Sequence, residues 1–255
     1  MYAEERQIAT ARLVTERGRV SVTDIADRFE VTTETVRRDL SMLERRGLVR
    51  RVHGGAVPVE TVAVLESGIG ERDQTCTEQK ERIARAALDL LPPTGGTIAI
   101  DAGTTTSRFA HTIPRDHRLT VVTHAVPVAA LLAGSAQIDL HLLPGRVRPA
   151  TQAAVGAETV DALSRLRVDV SFVATNGLTL THGLSTPDYE EAATKRALVG
   201  AARRVVCLTD SSKIGVESTL RFADTNSLDV LVTDSDIDDD VATELRESGL
   251  EVLIA

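Results

Sequence analysis

Tryptophan is absent from this 255-residue chain, and two Tyr and four Phe are its whole aromatic complement. Modules that bind single strands or RNA stack bases on aromatic platforms, so those functions are poorly served here. Cysteine occurs twice, at Cys76 and Cys207, far apart and outside any CxxC pair. Two free thiols are expected rather than a disulfide framework. The six histidines show no ligand spacing, so neither a metal site nor any other cofactor is expected. No apolar run approaches the roughly 18 residues of a membrane span. The opening MYAEERQ has neither secretory nor targeting character. A cytoplasmic protein without a membrane partner is the expectation.

Charge is unevenly spread. Residues 1–57 carry 11 Arg, no Lys and nine acidic residues, a net of +2, whereas the remainder carries −10, giving −8 for the chain. Only the N-terminal part suits a polyanion. The length has room for a domain of about 60 residues and a larger one of about 180. The expected boundaries are a small, net-basic domain at 1–57, a linker at 58–77 where periodicity fades, and a larger, acidic domain at 78–255.

The stretch SVTDIADRFEVTTETVRRDLSMLERRGLVRRVHGG, from Ser21 to Gly55, organises the N-terminal part. A helix over residues 3–17, with Leu13 and Val14 as core candidates and Gly18 as its stop, braces it. Ser21 followed by Asp24 is a helix-start pattern, with Val22, Ile25, Ala26 and Phe29 at helical spacing behind it. Thr32 can cap the next helix, in which Val36, Leu40 and Leu43 share one face. Arg50, Arg51 and His53 then lead into a turn at Gly54-Gly55, which predicts a basic hairpin, the wing of a winged helix-turn-helix. In that motif the start of the second helix reaches base edges while arginines hold phosphates. The predicted DNA contacts are Thr32, Thr33, Thr35, Arg37, Arg38, Arg50, Arg51 and His53. From Arg37 to Val57 six Arg stand against Asp39 and Glu44, a local positive excess that fits double-stranded DNA.

Beyond the linker, a helix over 78–91 precedes alternating strands and helices. Apolar runs predict strands at 97–100, 119–122, 138–143, 168–173, 204–208, 228–232 and 251–254. This alternation argues for an open, mostly parallel α/β sheet with helices on both faces. The fold class expected is therefore an N-terminal all-α winged helix-turn-helix plus a C-terminal α/β open sheet. Ligands of such sheets bind beyond the carboxyl ends of the strands. Those ends read DAGTTT from Asp101, Thr123-His124, TNG from Thr175, and DSSK from Asp210. Glycine allows close backbone approach, threonines offer hydroxyls, and a helix N-terminus follows, so DAGTTT is a phosphate-cradle candidate. Lys213 and Arg148 add cations.

The runs VTTETVRRDL and RRGLVRRVHGGAV resemble the N-terminal signature of the DeoR family of bacterial sugar-metabolism repressors. IAIDAGTTT, ATNGL with GLSTPD, and LTDSSKIG are similar to that family's C-terminal sensor domain. The resemblance covers nearly the whole chain and implies a sensor fold like that of ribose-5-phosphate isomerase. Carried over by position, it implies effector contacts at Asp101, Gly103, Thr104, Thr105, Thr106, Asn176, Gly177 and Lys213; Thr123 and Arg148 join them from the strand-end reading. The chain departs from the family pattern at Thr10, where an aliphatic residue is usual, at His124 in place of Asn, and at Gly145-Arg146 in place of a Gly pair. MYAEERQ, EVTTETVRRDL and TQAAVGAE most resemble fructose-operon repressors of actinobacteria, which implies fructose 1-phosphate as effector.

The expectation is a homo-oligomeric repressor, dimer or tetramer, that binds operator DNA and is released by a phosphorylated sugar. The rival is a sugar-phosphate isomerase or deaminase with an accessory DNA-binding domain. Isomerisation needs a positioned general base, and the strand ending at Val173 is followed by Ala174-Thr175-Asn176-Gly177, with no carboxylate. Glu190 and Glu191 could reach the pocket but read rather as solvated residues of an exposed helix, and Asp210 as orienting Lys213 or capping a turn.

Overall fold

The computed structural model describes residues 3–45, 48–52, 54–57 and 68–255. The chain divides into two compact units, Met1–Leu65 and Glu66–Ala255.

In the first unit, α1 (Ala3–Arg17), β1 (Val20–Ser21), α2 (Val22–Phe29), α3 (Thr33–Arg45), β2 (Arg50–Val52) and β3 (Gly55–Val57) follow one another. Ser21 caps α2 by accepting the Asp24 amide at 3.0 Å, as its spacing predicts. Leu13, Val14, Ile25, Ala26, Val36, Leu40 and Leu43 form the core with Val20, Val49 and Ala56. The all-α description needs amending. The two-residue β1, too short to leave a periodic signal, pairs with β3 and extends the wing to a three-stranded antiparallel sheet, β1-β3-β2. Gly55 makes this pairing possible, because a Cβ there would stand 2.1 Å from the Val20 carbonyl oxygen.

The second unit begins with α4 (Ile69–Asp73) and α5 (Thr77–Ala86), the latter continued by a 3-10 turn at Ala87–Leu90. Then come β4 (Thr97–Ile100), α6 (Thr104–Thr112), β5 (Leu119–Thr123), α7 (Val126–Leu132), β6 (Ile138–Leu142), β7 (Arg146–Arg148) and β8 (Ala153–Val155). The chain continues through α8 (Ala157–Ser164), β9 (Val168–Val173), β10 (Gly177–Thr179), β11 (Gly183–Thr186), α9 (Tyr189–Ala201) and β12 (Ala202–Leu208). It closes with β13 (Leu220–Ala223), β14 (Val230–Thr233), α10 (Asp239–Glu247) and β15 (Glu251–Ile254).

All seven strands expected from apolar runs lie in one parallel sheet, ordered β15-β14-β12-β9-β4-β5-β6. Alternate side chains serve two cores. Ile98, Ile100 and Phe172 face α5, α6 and α7, and the Phe109 and Phe172 rings lie 4.2 Å apart. Ala99, Val173, Val205 and Cys207 face the side of α8, α9 and α10, where Leu163, Leu198 and Leu245 are buried. Strand order reverses between β4 and β9: the chain builds outward to β6, then returns to the other side of β4 and builds toward β15. Adjacent crossovers leave to opposite faces at such a point and open a crevice beyond the strand ends.

The segment expected as linker at 58–77 extends too far. Residues 58–67 lie outside the described residues, but α4 is folded onto the second unit. The Ile69 amide bonds the Ala150 carbonyl at 3.0 Å, and Arg108 pairs with Asp73 at 2.8 Å. Tertiary contacts, rather than local periodicity, hold this five-residue helix.

Candidate functional site

The first unit presents a candidate nucleic-acid face on α3. Thr32 Oγ1 accepts the Thr35 amide at 3.2 Å and lies 2.9 Å from the Thr35 hydroxyl, so the two hydroxyls are joined at the helix start. Thr33 is exposed beside them. With Val36, Leu40 and Leu43 turned inward, Arg37 and Arg38 are exposed on the other side. Arg37 sits 3.4 Å from Glu34, and both side chains are more than half exposed; such a pair is weak and leaves the guanidinium able to meet a phosphate. Arg51 reaches back from the wing to donate to Ser41 Oγ at 2.8 Å, while its amide donates to Glu44. Arg37, Arg38, Ser41, Met42 and Arg51 thereby line one groove with Glu34. Arg50 is half-buried, and its buried Nε has no hydrogen-bond partner among the described residues. His53 lies outside the described residues. Asp39 points inward from α3, accepting from Arg6 Nε at 2.6 Å and Gln7 Nε2 at 3.0 Å, and so anchors α3 to α1.

In the second unit a cleft open to solvent at its mouth sits at the strand-order reversal. Ala102–Thr105 after β4, Ala174–Asn176 after β9, and Leu208–Asp210 with Lys213 after β12 form its floor and rim. Thr151, Glu191 and Lys195 close one side, while Arg72, Thr75 and Lys80 close another. Its mixed polar and apolar lining suits a small polar ligand.

Of the residues singled out in the sequence, Gly103, Thr104, Thr105, Asn176 and Lys213 line this cleft. Gly103 is extended and precedes α6, so the first amides of that helix lack helical partners, and its first residues, Thr104 and Thr105, line the cleft. A Cβ on Gly103 would stand 3.0 Å from that of Ala174, which keeps the two strand ends close. Asn176 Oδ1 accepts from Thr186 Oγ1 at 3.1 Å. Lys213 ends a 3-10 turn that Asp234 fixes through the Ser211 amide and hydroxyl at 2.7 and 2.9 Å. Its ammonium has no ionic partner within the protein among the described residues.

The remaining expected contacts take other places. Asp101 lies beneath the cleft with a carboxylate already saturated: it accepts from the Ala102 and Ala174 amides at 2.8 and 2.9 Å, from Lys195 Nζ, and meets His124 Nε2 at 2.9 Å. Burial opposes its charge, yet Lys195 and His124 outweigh burial and hold its pKa down at about 2. Thr106 Oγ1 donates to the Gly103 carbonyl at 3.1 Å, and Thr123 Oγ1 to the Ile100 carbonyl at 2.7 Å. Both hydroxyls are buried and serve the backbone. Gly177 is a close-approach position, since a Cβ would meet the Val216 carbonyl oxygen at 2.3 Å. Arg148 stands behind the cleft wall, 2.5 Å from Glu191 Oε1 and 3.4 Å from Asp188.

Glu191 corrects the reading of α9 as an exposed face. Glu190 is partly exposed and bonded to Arg146, but Glu191 is only 3% exposed and lines the cleft. The misreading has a cause: an acidic pair in a first helical turn is ordinarily solvated, and Arg148, Thr151 and Thr186 that bury this one arrive from other elements. These donors occupy its oxygens, which disfavours a role as a free base for isomerisation. Lys80, Lys195, Thr75 and Arg72 also went unseen in the sequence. Lysines within helices carry no signal of burial, and Arg72 and Thr75 fell in the stretch taken as linker.

Comparison with known proteins agrees on both units. The DeoR-like helix-turn-helix domain matches residues 6–62, and the DeoR C terminal sensor domain matches residues 75–235. The HTH-type transcriptional regulator GlpR of Haloferax volcanii is 35% identical, over 99% of this chain and 98% of its own. The glycerol-3-phosphate regulon repressor of Escherichia coli is 32% identical, over 92% of each chain. An uncharacterized HTH-type transcriptional regulator, FruR, of Bacillus subtilis is 34% identical, over 85% of each. Among solved structures, a probable sor operon regulator from Shigella flexneri is similar over 80% of this chain and 97% of its own, at 14% identity and a TM-score of 0.45. A ribose 5-phosphate isomerase from Methanocaldococcus jannaschii is similar over 54% of each chain, at 17% identity and a TM-score of 0.40. With its winged helix-turn-helix and its α/β sensor unit both matched, the chain belongs to the DeoR family of DNA-binding transcriptional regulators.

Proposed function

We propose that this protein represses a sugar-catabolic operon and leaves its operator when a phosphorylated sugar fills the cleft of the second unit. The observation that carries the effector class is the uncompensated Lys213 ammonium, beside the Thr104 and Thr105 amides at the start of α6. Backbone amides and a free cation around one small space are the chemistry of a phosphate site. Asn176, through its side-chain amide, and Thr151, through its oxygen, supply polar groups for sugar hydroxyls on the same walls. Operator binding is assigned to the exposed α3 face, with Thr33, Thr35, Arg37, Arg38 and Arg51 as its contacts. His53 and Arg50 remain wing candidates from the sequence. A symmetric homo-oligomer matches the use of paired half-sites by helix-turn-helix proteins. Such a protein works in the cytoplasm.

Fructose 1-phosphate is the effector we infer, from the resemblance of MYAEERQ, EVTTETVRRDL and TQAAVGAE to fructose-operon repressors. Release requires that the sugar bind the DNA-free state more tightly than the DNA-bound one. The test is a band shift on DNA upstream of the protein's own gene at fixed salt. Fructose 1-phosphate, fructose 6-phosphate, ribose 5-phosphate, glycerol 3-phosphate and unphosphorylated fructose are titrated in turn. Release by fructose 1-phosphate at the lowest concentration supports the full reading. Release by another phosphate replaces the effector but keeps the function, and failure of all of them removes the cleft from the mechanism.

A further inference from the structure

Lys80 on α5 is 3% exposed, lines the cleft, and lacks a carboxylate within ion-pairing distance among the described residues. Its Nζ donates to two backbone carbonyls, Arg72 O at 2.5 Å and Thr75 O at 2.7 Å. An ammonium has three donors, so one remains for a ligand. The other cations of this region are differently placed: Lys195 is neutralised by Asp101, and Arg148 by Glu191. Lys80 and Lys213 are left with Asp210, which forms no ion pair with either and accepts from Ser212. A buried ammonium without a counter-ion is costly, and burial accordingly pushes the Lys80 pKa down. Asp210 offsets part of that cost through space without bonding to the ammonium, and the third N–H of Lys80 has no partner among the described residues.

The carbonyls that Lys80 holds belong to the end of α4 and the turn after it, which also supply Arg72 and Thr75 to the cleft wall. Covalently, this is the stretch through which the chain enters the second unit from the first. We propose that Lys80 is a ligand-binding residue that takes the phosphate with its third N–H, so that the bound anion, the ammonium and the Arg72–Thr75 turn form one continuous bonded unit. The anion supplies a counter-charge bonded directly to the ammonium and fixes the entry segment of the sensor unit. This rests on the effector reading given above and adds to it the residue through which occupancy is felt at the entry segment.

Hydrogen exchange on the full-length protein, with and without saturating fructose 1-phosphate, tests the link without any substitution. Slower exchange of the 72–76 amides together with those of 103–106 is expected. Protection at 103–106 alone overturns the role of Lys80. Lys80→Met, which keeps the aliphatic stem, is expected to bind fructose 1-phosphate at least about tenfold more weakly in calorimetry, the loss of one charge-assisted bond. It is also expected to show no protection at 72–76 at saturation. Unchanged affinity with unchanged protection again overturns the proposal while leaving the effector reading intact. If the wild-type protein binds neither fructose 1-phosphate nor any other phosphate of the panel, the effector reading and the role of Lys80 fall together.

Discussion

The ammonium of Lys195 on α9 and the carboxylate of Asp101 at the end of β4 form an ion pair in which the side chains are 5% and 0% exposed. The same carboxylate accepts amides from the ends of β4 and β9, so one buried charge clamps the strand-order reversal beneath the cleft. Removing either partner strands the other in the interior. Lys195→Met and Asp101→Asn are each expected to cost about 3–5 kcal/mol in denaturant unfolding of the second unit. A loss below about 1 kcal/mol in both would mean that the pair has no structural role.

The same carboxylate gives the second unit an acid limit. Its folded pKa of about 2 lies below the ordinary 3.8. The associated stability is present above about pH 4 and is lost as pH falls toward 2. The amount is about 2 kcal/mol. Unfolding free energies measured between pH 5 and pH 2 should fall in wild type and less steeply in Asp101→Asn.

On α3, Arg37→Ala and Arg38→Ala should weaken operator binding and leave sugar-phosphate affinity unchanged. For each arginine that contacts a phosphate, the slope of log affinity against log salt should fall by about one. Fluorescence anisotropy across a salt series measures this. An equal loss of both affinities would reassign the residues to the fold.

Thr10 on α1 is fully buried, and its hydroxyl has no hydrogen-bond partner among the described residues. Thr10→Val removes that unmet group at nearly constant volume, and a gain of about 1 kcal/mol is expected. Thermal melting of the two proteins side by side would show it. A destabilised variant would mean that the hydroxyl is satisfied in solution.

In the wing, Gly55→Ala places a methyl group 2.1 Å from the Val20 carbonyl oxygen. The β1-β3 pairing has to give way, at a cost of about 2 kcal/mol or more. Operator binding should be lost while the second unit still binds sugar phosphate in calorimetry.

What could be read from the chain alone divides along a physical line. Buried parallel strands are short runs dominated by apolar and β-branched residues, so TIAI, LTVVT and VDVSFV announced themselves, and all seven strands of the main sheet were legible. The α2–α3 pair was legible because Ser21, Thr32 and the Val36-Leu40-Leu43 face are local signals. The small sheet β10-β11-β13 and the β7-β8 hairpin were not, since GLT, GLST and AAV are three or four residues long and their order comes from partners distant in sequence. In the cleft, strand-end residues such as Gly103, Thr104 and Asn176 were visible because topology fixes where strands end. Lys80 and Lys195 were not, and Glu191 was set aside as solvated, because a charged residue inside a helix is ordinarily solvated and only packing reveals the exception. Asp101 and Thr123 were seen but misplaced: the pattern located them at strand ends without showing that their oxygens are already engaged.

The clamp under the cleft separates two kinds of residue that lie side by side in the chain. Asp101, Thr106, Thr123 and Gly177 hold backbone to backbone, whereas Thr104, Thr151, Asn176 and Lys213 have groups turned to the ligand space. Descendants of such a chain can exchange the second set, and with it the metabolite they answer to, while inheriting the first set unaltered. On the proposed function, such a regulator acquires a new signal by substitution at the rim, and the operator contacts proposed on α3 pass through the change untouched.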